Sequence, residues 1–153
     1  MTQEAITIRR YQPSDAEAVI AIWEAANALA HPFLSQDFVD TVRADMRAVY
    51  LPNAETWIAE RDGRPVGFIA MIGTEIGGLF LDPRHHGKGF GRAMVDTVVA
   101  EKGSLQVEVF ANNRIGRAFY DGFGFVPVDE YVHKQSGQVT IRMGMPGALK
   151  AQE

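Results

Sequence analysis

The chain has 153 residues, 46% hydrophobic and 22% charged, which suits one globular domain with one core. Its formal charge of −4, from 19 acidic against 15 basic residues, argues against a general binder of nucleic acid or anionic membrane, whose affinity would lean on a basic surface. With no cysteine there is no disulfide, no thiolate metal site and no acyl-cysteine intermediate.

The amino terminus, MTQEAITIRR, lacks an apolar leader segment, and no apolar run approaches the roughly 20 residues of a spanning helix, so a cytoplasmic protein is expected. Residues 6–11 alternate Ile6 and Ile8 with Thr7 and Arg9, the period of a strand. Ser14-Asp15-Ala16-Glu17 reads as a capping box, and the helix it opens places Val19, Ile22, Trp23, Ala26 and Ala30 on one face before ending near His31-Pro32. Ser35 begins a second helix, with Phe38, Val42, Met46 and Val49 at helical spacing and Leu51-Pro52-Asn53 as its close. Strands are expected at 57–60 and 66–72, antiparallel because Asp62-Gly63 between them signals a hairpin. A further strand, 74–82, contains Gly77-Gly78, a pair that marks a bulge or a close backbone approach.

The stretch 79–92, LFLDPRHHGKGFGR, is an apolar strand end stopped by Asp82-Pro83, then a loop with Gly87, Gly89 and Gly91 that opens a helix near Arg92. That helix turns Met94, Val95, Val98 and Val99 inward and stops at Gly103. Leu105, Val107 and Val109 alternate as a strand, and 112–123 returns to helical spacing with Ile115, Phe119 and Phe123 four apart. Gly124-Phe125 starts another strand, Ser136-Gly137 turns, and a last strand runs through Val139, Ile141 and Met143. The tail, 146–153, is expected to be loose. The order β-α-α-β-β-β-α-β-α-β-β predicts an α/β fold: one mixed sheet with helices on both faces, whose parallel pair flanks the helix after Leu81. Ligands in such sheets sit beyond the carboxyl ends of the strands, where the glycine loop lies.

Strand, glycine loop and helix in this order favour an anion. Glycines let the main chain approach a ligand, and the first helical turn offers unpaired N–H groups at the positive end of its dipole. The spacing is not that of a P-loop, because no Gly-Lys-Ser/Thr follows, nor of the dinucleotide fingerprint, because Met94 stands where the third glycine belongs. Taken alone, the cluster is equally a turn that starts a helix.

His86-Gly87-Lys88-Gly89-Phe90-Gly91, after Leu81-Asp82-Pro83, resembles the Arg/Gln-x-x-Gly-x-Gly/Ala signature of the GCN5-related N-acetyltransferase (GNAT) superfamily, with His86 replacing Arg or Gln. NRIGRAFYDGFGF, 113–125, is similar to the family's second motif, Asn-x-x-Ala-x-x-Phe-Tyr-x-x-x-Gly-Phe. Asn113, Phe119, Tyr120, Gly124 and Phe125 match, and Gly116 replaces the alanine. The two motifs have the family's order and separation, and the resemblance spans about 6–145.

This resemblance implies a single GNAT-like domain, mostly antiparallel with one parallel strand pair, that moves an acetyl group from acetyl-CoA to a primary amine of a small molecule or peptide. No metal, nucleic acid or membrane partner is implied, and the protein would be a monomer or homodimer. Main-chain amides of His86, Gly87, Lys88, Gly89, Phe90, Gly91 and Arg92 would grip the diphosphate, and those of Leu79, Phe80 and Leu81 would hold the thioester oxyanion. Asn113 would meet the pantetheine or a neighbouring backbone group, and Tyr120 would protonate the departing thiolate. A phenol of pKa about 10 suits a thiolate near about 8.5, although Tyr120 also reads as a core aromatic beside Phe119.

An amine of pKa near about 10 must lose a proton before it attacks. Glu75, six residues before Leu81, is the first candidate base through the family's histone-acetyltransferase branch, and equally reads as an exposed turn glutamate. His31 and Glu24 are the alternatives. Residues 27–53 are expected to shape the acceptor pocket, with His31 and Phe33 facing the substrate. Absence of cysteine favours direct attack over a ping-pong route. His85 and His86 are adjacent while His31 and His133 are remote, so no metal-ligand spacing emerges. An acyl-CoA-binding regulatory module and an unrelated nucleotide-binding protein are the competing functions.

Overall fold

In the computed structural model, which describes residues 6–147, the alternating runs become seven strands of one sheet. They are β1 (Ile6–Arg10), β2 (Glu55–Arg61), β3 (Arg64–Ile72), β4 (Glu75–Leu81), β5 (Gln106–Phe110), β6 (Val126–Val132) and β7 (Val139–Gly144). Across the sheet the order is β1-β2-β3-β4-β5-β7-β6. Every neighbouring pair is antiparallel except β4 and β5, the pair expected to be parallel. The helices are α1 (Ala16–Ala30), α2 (Gln36–Asp45), α3 (Leu51–Asn53), α4 (Phe90–Lys102) and α5 (Arg114–Phe123). Of the expected loose tail, all but Pro146 and Gly147 lies outside the described residues.

Side-chain alternation on the central strands splits the core between the two faces. Ala59, Ile69, Met71 and Ile76 pack with Met94, Val95 and Val98 of α4 on one face, and Ile58 and Phe68 pack with Val19, Ile22 and Trp23 of α1 on the other. Helix α4 carries three valines, each costing about half a kcal/mol in helix propensity, but burial of each such side chain returns about 1.5–3 kcal/mol. Packing therefore decides its conformation. Asp62 and Gly63 both have positive φ, +53° and +77°, as a two-residue hairpin between β2 and β3 requires. Among the described residues no helix is long and apolar enough to cross a membrane.

Three local expectations are corrected. The Ser14 capping box does not form: Pro13 starts a 3₁₀ turn, and Asp15 takes the anchoring role, accepting the Gln12 N–H at 2.8 Å and two bonds from Arg9. Glu17 pairs with Arg47 instead. Helix α2 stops at Asp45, and Met46–Tyr50 is a π turn before Pro52, whose missing N–H cannot continue the α ladder. The shifted period buries Met46 and Leu51 and leaves Val49 46% exposed. In α5 the buried stripe is rotated, so that Ile115 is 44% exposed and Tyr120 only 6%.

Candidate active site

The parallel pair is short. β4 meets β5 only at Glu75 opposite Gln106 and Ile76 opposite Val107; beyond these, β4 stays with β3 as far as Leu81 and β5 with β7 as far as Phe110. A bulge begins the separation, for Met71 pairs with Ile76 while Ala70 pairs with Gly78, leaving Gly77 as an extra residue on β4. Main-chain groups along the facing edges thereby lose their ladder partners across the gap, and a cavity of about 500 Å³ opens there.

Directly after β4 comes the glycine loop. The Asp82 carboxylate accepts from the Arg84 backbone and guanidinium, which hold it down to about pKa 2, and Pro83–His85 forms a 3₁₀ turn. Gly87 and Gly89 adopt φ of +75° and +87°, and Gly89 is the N-cap of α4 with no side chain capping the helix. A Cβ at either glycine would meet nothing within 4 Å, so their conformation, rather than crowding, calls for glycine. Uncapped helical N–H groups behind an open loop fit the diphosphate of coenzyme A. His86 and Lys88 are exposed beside it.

Other loop residues have different commitments. The Phe90 ring is 2% exposed and edge-on to His85 at 5.9 Å, so Phe90 can offer a ligand only its main chain. The Arg92 guanidinium lies 4.6 Å from the Phe123 ring centroid, turned toward α5.

Tyr120 is a core aromatic beside Phe119, one of the two readings of its place in the sequence. Its ring packs edge-to-face on Phe125 and Phe119, at 5.2 and 5.4 Å, and it also lines the cavity. Burial pushes its phenol well above the usual range, so it holds its proton at neutral pH. Glu75 lines the cavity too, but is no free turn residue: its Oε1 accepts from Arg142 Nη1 at 2.7 Å. Arg142 Nη2 donates to Glu108 Oε1 at 2.6 Å, so one guanidinium joins carboxylates from β4 and β5 at the root of the split. Glu24 pairs with Arg43 and is not part of the cavity wall.

His31 is half-buried among aromatic rings, edge-on to Phe110 at 5.0 Å, Phe33 at 5.7 Å and Phe80 at 6.3 Å. Its Nδ1 lies 2.7 Å from Asn27 Oδ1 and its Nε2 lies 3.0 Å from Asn113 Nδ2. Burial pulls its pKa down to about 4, and both ring nitrogens face side-chain amides. Phe33, expected to face the substrate, packs edge-on to His31 and Phe110, and the residues lining the cavity do not include it. Asn113 also lines the cavity; its Oδ1 accepts the Gly116 N–H at 2.8 Å while Nδ2 faces His31.

Glu108, Thr140 and His133 also line the cavity and were not anticipated. Glu108 has a local signal, a polar position between inward Val107 and Val109. Arg142 has none, because β7 comes to lie between β5 and β6 only in the assembled sheet. Among the described residues no group of three His, Asp or Glu side chains is arranged to hold a metal ion.

The family described as Acetyltransferase (GNAT) domain matches residues 52–127, a span that contains both motifs. Peptidyl-lysine N-acetyltransferase YjaB of Escherichia coli is 35% identical over 122 residues, 78% of this chain and 82% of that protein. The chain belongs to the GNAT acetyltransferases. Peptidyl-lysine N-acetyltransferase YiaC of the same organism is 30% identical over 123 residues, 80% of this chain and 84% of its own. The solution structure of apo YjaB superposes with a TM-score of 0.84 at 28% identity, covering 93% of this chain and 98% of that one. This GNAT protein is accordingly an acetyl-CoA-dependent N-acetyltransferase, its glycine loop at one end of the split and its cavity beside it.

Proposed function

We propose that this acetyltransferase passes the acetyl group directly to the side-chain amine of a lysine in a peptide or protein. The observation that carries it is the separation of β4 from β5, beside which lies a cavity whose walls are mostly apolar and whose acidic residues are Glu75 and Glu108. Apolar walls suit the four-carbon stem of lysine, and the carboxylates suit its ammonium head. The peptidyl-lysine activity named for YjaB and YiaC supports the same acceptor class.

Acetyl-CoA supplies the acyl group as a thioester. Main-chain amides of residues 86–92 hold its diphosphate, and those of Leu79 and Leu81, which alternation along β4 turns away from β3, face the carbonyl oxygen as negative charge develops, whereas the Phe80 N–H is turned to β3. Glu75 and Glu108 take the ammonium proton through water, freeing the nitrogen lone pair. As the nitrogen–carbon bond forms and the carbon–sulfur bond breaks, the Tyr120 hydroxyl gives its proton to sulfur, and the second proton shed by the nitrogen, passed through water, restores the phenol. With no cysteine in the chain, no acyl-cysteine stage intervenes.

The test is the purified protein with acetyl-CoA and matched panels of lysine peptides, free amino acids and polyamines, following thiol release and product mass. Acetylated lysine peptides are the expected product. Turnover confined to polyamines or amino acids would replace the acceptor class.

A further inference from the structure

We propose that His31 is a positioning residue: its imidazole, in the neutral Nδ1–H form, holds the Asn113 amide and the first turn of α5 against the acceptor cavity, in space that Gly116 leaves open. The proposal deepens the transfer mechanism above, which supplies its activity readout.

Each hydrogen bond in the chain can run in only one direction. The Gly116 N–H donates to Asn113 Oδ1 at 2.8 Å, which fixes the amide and turns Nδ2 toward His31. Nδ2 can only donate, so His31 Nε2 at 3.0 Å must accept. The neutral ring then carries its proton on Nδ1, which donates to Asn27 Oδ1 at 2.7 Å. Asn27 and Asn113 are 5% and 8% exposed, so neither has an easy alternative partner in water.

Gly116 supplies an independent observation. A Cβ built there would lie 2.5 Å from Asn113 Nδ2 and 3.0 Å from its Cγ, so a methyl group would occupy the amide's place. The position is the one at which this chain departs from the alanine of the second motif. Here glycine allows Asn113 to lie across the first turn of α5 and reach the end of α1.

His31, Asn113 and Tyr120 all line the cavity. Moving His31 therefore changes the acceptor wall and the seat of the Tyr120 helix together. Around the imidazole are the rings of Phe33, Phe80 and Phe110; His133 lies beyond Phe110, and the charged groups of the shared cavity are Glu75 and Glu108.

Nitrogen-15 NMR of the full chain, with steady-state kinetics, tests this. At neutral pH the His31 ring should show a protonated Nδ1 and a bare Nε2. Gly116→Ala should disturb those signals and lower kcat on the order of tenfold, the loss of one buried hydrogen bond, with acetyl-CoA affinity little changed. Alanine is the better helix former by about 1 kcal/mol, so that loss would not come from a weakened helix. Asn113→Asp should place a carboxylate opposite Nε2 and move the His31 titration upward by about two units. A wild-type ring protonated at Nε2, or Gly116→Ala with unchanged ring signals or unchanged kcat, overturns the proposal. A wild-type protein that acetylates no lysine peptide defeats the acceptor assignment instead, while the ring signals still decide the role of His31.

Discussion

Arg142 Nη1 lies 2.7 Å from Glu75 Oε1, and this bond spans the point at which β4 and β5 part. Because the same guanidinium serves Glu108, two carboxylates share one cation and the group keeps a net negative charge toward the cavity. Arg142→Met should leave two like charges unbalanced at the root of the split. Their side chains are about a third exposed, so water limits the cost to about 1 kcal/mol. Adding Glu108→Gln to Arg142→Met should recover part of it, a coupling visible in urea midpoints; strictly additive losses would mean that the three residues do not act as a unit.

Glu75→Gln and Glu108→Gln should each lower turnover on the order of tenfold or more, since each removes a carboxylate that can accept the amine proton. Rates on a lysine peptide check this. If one variant keeps the wild-type rate at every pH, that glutamate takes no part in deprotonation.

Tyr120→Phe deletes only a hydroxyl, and the ring contacts with Phe119 and Phe125 survive. Turnover should fall about 10²-fold with acetyl-CoA affinity little altered, because the proton matters only as the carbon–sulfur bond breaks. Burial raises the phenol, so its acid form persists on the alkaline side and wild-type turnover should show no loss from tyrosine ionisation up to pH 10. A variant as fast as wild type removes Tyr120 from the chemistry.

How far the sequence could be read follows from the range of the forces involved. Hairpin, glycine loop and crossover helix were legible because Asp62-Gly63, Gly89 and the inward face of α4 act within a few residues. The bulge was signalled by Gly77-Gly78, although its consequence, the split, also needs β5 to pair with β7. Register errors came where a proline shifted the local period: Pro13 took the helix start from Ser14, and Pro52 accompanied the π turn that exposes Val49. The Arg142 bonds and the meeting of Asn113 with His31 stayed hidden because they form only in the assembled fold, Asn113 reaching His31 from 82 residues away.

At Gly89 the backbone has φ of +87° with open space where a Cβ would stand. A β-branched residue there carries the full conformational penalty of about 1–2 kcal/mol, whereas asparagine tolerates the left-handed region better. Gly89→Val should weaken CoA binding about tenfold, and Gly89→Asn should weaken it less. Calorimetry with CoA separates them; equal losses would point to bulk at the ligand instead of backbone conformation.

Stability should depend on His31 in a definite pH window. An unfolded histidine takes up a proton near pH 6.5, whereas half-buried His31 resists it until about 4. Between these values the unfolded chain binds more protons, so stability rises with pH: the His31 contribution is whole above 6.5 and is lost as pH falls to 4. The difference amounts to on the order of 3 kcal/mol. Asp15 and Asp82, lowered chiefly by their bonds to Arg9 and Arg84, hold their contributions above 3.8 and lose them only in stronger acid. His85, also lowered by burial, adds a slope of the same sign, so the His31 share is read as a difference between proteins. Urea unfolding of wild type and His31→Phe between pH 4 and 7 should give a steeper rise for wild type. Parallel curves would mean that His31 takes up its proton as readily in the folded protein as in the unfolded chain.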